Sequence, residues 1–189
     1  MVYVKWGIRA LILLTLGAFL HYTLPQHDVV RITDTYSRIS PIKYPIFWSN
    51  EAAGGETARG RDVFMIETFR TNGKPMIYRN EDTDWGWPPY FKFDTANLQA
   101  EASNLVSTSA DPQWVMVRHY GWRSELLSIY PNAIRIWAVD GPDARIIPWF
   151  NIIFLTVLAA LYWGIRVRWI RFRENRIKPV YDEWTDGWG

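Results

Sequence analysis

Ile146–Ile165 reads IIPWFNIIFLTVLAALYWGI, twenty consecutive residues without a charge. At 1.5 Å per residue a helix of this length covers about 30 Å, the hydrocarbon thickness of a bilayer, so the stretch predicts a transmembrane span. Trp149 and Phe150 stand near one end, Tyr162, Trp163 and Trp169 near the other, as two interfacial aromatic belts would. Pro148 falls in the first turn, where its missing N–H costs nothing. Asn151 is one polar group near the interface, and a hydrogen bond to water or backbone accounts for it.

Outward from this span, Arg166, Arg168, Arg171, Arg173, Arg176 and Lys178 follow directly. At the other end of the chain Ala10–Leu24 (ALILLTLGAFLHYTL) is a shorter apolar run, and counting from Trp6, with Arg9 reaching back to the headgroups, gives nineteen residues. A basic start and a short apolar core also suit a cleaved signal peptide. No small-x-small cleavage site follows, so an uncleaved signal anchor is expected. Lys5 and Arg9 before the first span and the arginines after the second place both termini in the cytoplasm by the positive-inside bias. The expected division is a cytoplasmic N-terminus 1–5, a span 6–24, an extracytoplasmic domain 25–145, a span 146–165 and a cytoplasmic basic tail 166–189. In a Gram-negative cell the domain would be periplasmic.

Composition agrees with that division. Mean hydropathy is −0.15, yet it averages very unequal segments. Aromatics make up 16% of the chain, with twelve Trp, about twice an ordinary share, and a bilayer interface explains part of that excess. Thirteen Lys and Arg oppose fifteen Asp and Glu over 24–146, whereas all six bases of the tail lie between Arg166 and Lys178. This clustering suits anionic lipid headgroups, with Arg166, Arg168, Arg171 and Arg173 as anchors, and no nucleic acid is expected. The chain has no Cys, which excludes disulfides, thiolate nucleophiles and Cys-ligated metals.

The middle segment alternates as β structure does. Asp28–Ile39 is expected as a strand; 49–60 (SNEAAGGETARG) as a loop; Asp62–Arg70 and Pro75–Arg79 as a hairpin, with Asn72-Gly73 supplying the two positive φ angles of a type I′ turn. Tyr90–Phe93 is expected to extend the sheet. Asp94 or Thr95 caps a helix to about Val106, and Gln113–Tyr120 and Asn132–Val139 are two further strands. The order is that of a five-stranded OB-type barrel with its helix between the third and fourth strands; an open antiparallel sheet with one covering helix gives the same string. The fold class is therefore a membrane-anchored α+β protein, two transmembrane helices flanking a mostly antiparallel β domain.

Chemical motifs are sparse. His21, His27 and His119 do not share a helix face, so no metal site is expected from them. The chain lacks a Gly-x-Ser-x-Gly elbow, a Gly-rich phosphate loop and a Ser-x-x-Lys, and no cofactor is expected. Glu81, Asp82 and Asp84 lack calcium-loop spacing and are taken as a solvated loop. Trp85-Gly86-Trp87-Pro88-Pro89-Tyr90 is the most unusual stretch outside the spans. Trp85, Trp87 and Tyr90, with Trp122, are candidates to stack on a glycan or peptide, while core or bilayer contact is the competing reading.

His21–Ile32 (HYTLPQHDVVRI), Tyr120–Arg123 (YGWR) and Leu127–Asn132 (LSIYPN) resemble the bacterial membrane-protein family called domain of unknown function 1523. The resemblance implies a membrane protein and brings no activity, cofactor or catalytic residue with it. The expected role is a non-catalytic interaction or assembly factor of the cell envelope in the bacterial inner membrane, with the lipid bilayer and another membrane protein or complex as partners. An envelope module binding a glycan or peptide is the alternative. A membrane-bound hydrolase comes last, for which His119 with Arg118, Arg123 and Glu125 are the only nominees.

Overall fold

A computed structural model describes residues 2–40 and 61–186, and the loop expected over 49–60 lies outside them. The chain forms two units, Met1–Ile146 and Ile147–Gly189.

In the first unit, α1 (Val2–Thr23) is apolar on every side and exposed along almost its whole length. Such a helix suits lipid rather than water. Only Leu24 and Pro25 separate it from β1 (Gln26–Ser40), the longest strand. The first half of β1 pairs antiparallel with β4 (Trp114–Tyr120), from Gln26 opposite His119 to Arg31 opposite Trp114. The second half pairs with β2 (Arg61–Arg70), and the register slips between Ile32 and Asp34. A bulge there bends the strand, which lets one strand serve two neighbours.

β2 and β3 (Pro75–Asn80) form the expected hairpin. The parallel contact of Arg79 with Asn132 on β5 (Asn132–Ala138), and the antiparallel pairing of β5 with β4, close the sheet in the order β1-β2-β3-β5-β4. With α2 (Thr95–Asn104) between β3 and β4, this is the arrangement of an OB-type barrel, and the open-sheet alternative is excluded by the β3–β5 contact, which closes the ring. Val30, Ile32, Ile66, Tyr78, Val115 and Val117 are wholly buried in the core, and α2 adds Leu98 and Ala102 to it. Asp94 starts α2 by accepting the backbone N–H of Asn97 at 2.9 Å, as an N-cap does.

Two local expectations are corrected. The β2–β3 turn is not type I′: of its residues only Gly73 has positive φ (+75°). The Asn72 side chain instead accepts the Lys74 N–H at 3.0 Å, and the Arg70 N–H donates to the Lys74 carbonyl at 2.9 Å. That is a three-residue loop ending in a left-handed residue. Gly73→Ala should therefore cost about 1 kcal/mol in urea denaturation, because a Cβ disfavours this backbone although the space around it is open. Tyr90–Phe93, secondly, is not a strand. Phe91 has φ +51°, a backbone no β-strand adopts, and the turn carries Lys92 inward.

In the second unit, α3 (Trp149–Phe172) begins three residues later than the expected span and follows Pro148. It continues through a π-helical turn, Arg173–Ile177, into α4 (Lys178–Asp186), so the basic tail extends the helix. Val2–Thr23 and Trp149–Tyr181 are both long and apolar enough to cross a membrane.

Candidate functional site

Three places in the first unit gather side chains beyond what packing requires. The first is the junction of α1 with the barrel. Gly121 follows β4 with φ +95° and donates its N–H to the Tyr22 carbonyl at 3.0 Å, an approach a β-carbon at that φ would strain. The Tyr22 ring meets Tyr120 and Trp122 edge-on at centroid distances of 6.1 and 5.4 Å, and Trp122 Nε1 donates to His21 Nδ1 at 2.8 Å. From the other side Trp87 stacks on Phe19 at 5.6 Å, the Tyr90 hydroxyl donates to the Thr23 carbonyl, and the Tyr90 ring stacks on Tyr120 at 5.0 Å. The last turn and a half of α1 is thus held in a collar built from two loops that are 30 residues and more apart in sequence.

Three of the four aromatic residues singled out from the sequence, Trp87, Tyr90 and Trp122, belong to this collar. The fourth does not. Trp85 is 82% exposed and touches Phe91 and Phe93, each 53% exposed, at 5.3 and 5.8 Å.

The second place is inside the barrel. Asp28 Oδ2 accepts the Tyr78 hydroxyl at 2.6 Å, an Arg70 N–H at 2.9 Å and His119 Nε2 at 3.2 Å. Burial pushes the Tyr78 hydroxyl well above its usual range, with the Asp28 charge adding to it. Asp28 and Arg70 also line an open groove of about 390 Å³ together with His27, Val29, Asn72 and Arg145. A carboxylate bonded to an imidazole is how many hydrolases orient a base. Here the other ring nitrogen, Nδ1, is buried and makes no hydrogen bond among the described residues. The remaining nominees lie elsewhere: Arg123 covers the Tyr130 ring at 4.5 Å and bonds the Ser124 and Ile129 carbonyls, while Glu125 is exposed in the same loop. Arg123 and Glu125 therefore make their contacts away from His119, whose partner, Asp28, lies 91 residues away with no local signal to link them. Among the described residues no three of His, Asp and Glu gather as metal ligands would.

The third place is Lys92. Its Nζ donates to the carbonyls of Ala133 and Glu81 at 2.9 and 3.2 Å and to Asn80 Oδ1. Asn132 clasps the backbone of Glu81 through both ends of its amide, and also reaches the Tyr120 hydroxyl at 3.2 Å. This polar cluster ties the barrel interior to the collar. Burial lowers the Lys92 ammonium to about 8, against the pull of Asp82, Glu81 and Asp94. Between that value and the ordinary 10.5 the unfolded chain binds the extra proton, so stability rises with pH in this window by up to about 1.4 kcal/mol per unit. In denaturation series at pH 8 and pH 10, roughly the ends of that window, the wild type should gain on Lys92→Met. An unchanged difference would mean that the buried amine keeps its ordinary proton affinity.

An OB-type barrel mounted on one apolar helix and followed in sequence by a second defines the class: a small β-barrel protein with two helices fit to cross a membrane. The chain belongs to a family described as protein of unknown function (DUF1523), whose model matches residues 1–173. It is 42% identical over 149 residues to an uncharacterized protein of Haemophilus influenzae, which covers 77% of this chain and 80% of that relative. No solved structure matches it.

Proposed function

We propose that this protein is a non-catalytic positioning factor of the bacterial inner membrane, which holds its barrel on the periplasmic side at a fixed height and orientation for another envelope component. The single observation that carries the reading is the mount. Only two residues join α1 to β1, and the collar of Trp87, Tyr90, Tyr120 and Trp122 grips Phe19, His21, Tyr22 and Thr23. A rigid mount suits a part that must meet a membrane partner in one pose. The basic residues flanking the two apolar helices, Lys5 and Arg9 on one and Arg166–Lys178 on the other, support the periplasmic side.

Mild detergent extraction should recover the protein with a stoichiometric membrane partner, and weakening the collar by Trp87→Ala with Trp122→Ala should reduce that recovery while the barrel stays folded. Recovery as a bare monomer under every mild condition would overturn the reading. Compartment reporters fused at residues 5, 90 and 185 should report cytoplasm, periplasm and cytoplasm. A cytoplasmic signal at 90 would reverse the topology.

A further inference from the structure

Trp85, Phe91 and Phe93 form an exposed three-ring cluster in which the rings touch one another and stand largely in the open. Its position is set by its neighbours. Trp87, two residues from Trp85, stacks on Phe19, which lies four residues, about 6 Å, inside the end of α1. Tyr90, next to Phe91, bonds the carbonyl of Thr23, the last residue of the helix. If α1 crosses the bilayer, Phe19 to Thr23 sits at headgroup depth, and the ring cluster is held at the same level.

The backbone supports an outward display. Asp84 and Phe91 both have positive φ, +45° and +51°, a conformation that costs an aromatic residue such as Phe91 free energy. Phe91 is fixed there from both sides, by the Tyr90 hydroxyl on Thr23 and by the Lys92 N–H on Thr83 Oγ1 at 3.0 Å. The outcome of the turn is that Lys92 points into the barrel, 8% exposed, while Phe91 and Phe93 on either side point out.

The geometry points to the Trp85–Phe91–Phe93 cluster as a membrane-surface contact, with the outer leaflet of the bilayer that α1 spans as its occupant. Continuity with the helix through the Phe19–Trp87 stack selects lipid over a soluble partner. Indole and phenyl rings gain from exchanging water for the headgroup–acyl boundary. Asp82 and Asp84 stand beside the rings in sequence, so the contact is apolar and insensitive to salt, unlike a polybasic one. It gives the barrel a second point of support beside α1, which prevents rocking about the helix end. The inference rests on α1 being a span, as proposed above.

The cysteine-free chain makes the test direct. Single Cys variants of the full protein, Trp85→Cys, Phe93→Cys, Leu13→Cys and Ser109→Cys, would carry an environment-sensitive fluorophore in phosphatidylcholine nanodiscs containing shallow or deep spin-labelled lipids. Ser109 lies near the start of β4, whose other end meets α1 roughly 20 Å away by strand rise. Labels at 85 and 93 should shift to the blue and lose most of their intensity with the shallow quencher at low and high salt; the label at 109 should do neither. With 13 quenched by the deep lipid but 85 and 93 behaving like 109, the contact is disproved and the span stands. With 13 unquenched as well, the span itself fails. Labels at 85 and 93 shielded from aqueous iodide yet unquenched by lipid would show a protein, a second copy included, on the cluster, and would also overturn the inference.

Discussion

Replacing Asp28 with alanine is expected to lower the stability of the barrel by about 3 kcal/mol at pH 7. One oxygen, Oδ2, takes the Tyr78 hydroxyl, the Arg70 guanidinium and His119 Nε2. Without it the Tyr78 hydroxyl and the His119 imidazole are buried donors lacking an acceptor, and Arg70 loses its counterion. Breaking a buried pair from one side costs about 3–5 kcal/mol. The side chains of Asp28 and Arg70 are 25% and 40% exposed, so water relieves part of the loss and the lower end applies.

The effect has a pH signature. Burial by itself would raise the Asp28 carboxyl. Hydrogen bonding and charge from His119, the bond from Tyr78 and the Arg70 charge more than reverse this and hold it well below the usual carboxylate range. The folded value lies below the unfolded 3.8, so the contribution is complete above that pH and is lost progressively as pH falls toward the folded value. Urea denaturation of the wild type and Asp28→Asn should give a gap that narrows as pH falls below about 4. A gap that ignores acid would show that shape, not charge, holds the three donors.

Ile32→Ala is expected to cost about 3.5 kcal/mol, from lost burial and the cavity left behind. The side chain is wholly buried in the core. It lies where β1 bulges to leave β4 for β2, and its backbone carbonyl accepts the Ser107 N–H at 3.0 Å, fastening the segment after α2. The site cannot collapse easily, because its neighbours belong to a closed ring of strands. Differential scanning calorimetry should show a lower barrel transition while the protein still partitions into membranes. A loss below about 1 kcal/mol would mean that the barrel relaxes around the gap.

Local features were legible in the sequence for local reasons. The two helices follow from unbroken apolar runs, and the β2–β3 hairpin from alternation around Asn72-Gly73. The α2 cap follows from Asp94. The turn type was missed because the Asn72 side chain competes for the Lys74 N–H, which removes the need for a second positive φ. Tyr-Phe-Lys-Phe alternates like a strand, whereas partners outside the stretch, Thr23 for Tyr90 and Thr83 and Ala133 for Lys92, hold it in a turn.

The sequence by itself determined the membrane-fit ends, the order of strands and helix, and membership of a two-helix class, all of which depend on short-range periodicity and length. Only the tertiary structure decided between a closed barrel and an open sheet, because closure needs β1 to bend at its bulge and β3 to meet β5, about 50 residues further on. It also decided where the aromatic residues pack. Trp87 and Trp122 look alike in composition to Trp85, but ring partners on α1 turn the first two into a mount and leave the third outside it, and no sequence pattern encodes a contact between residues 68 or 101 positions apart. Asp28 and His119 follow the same rule: neither residue is unusual where it stands, and the cluster around the Asp28 carboxylate exists only once the barrel brings its strands together.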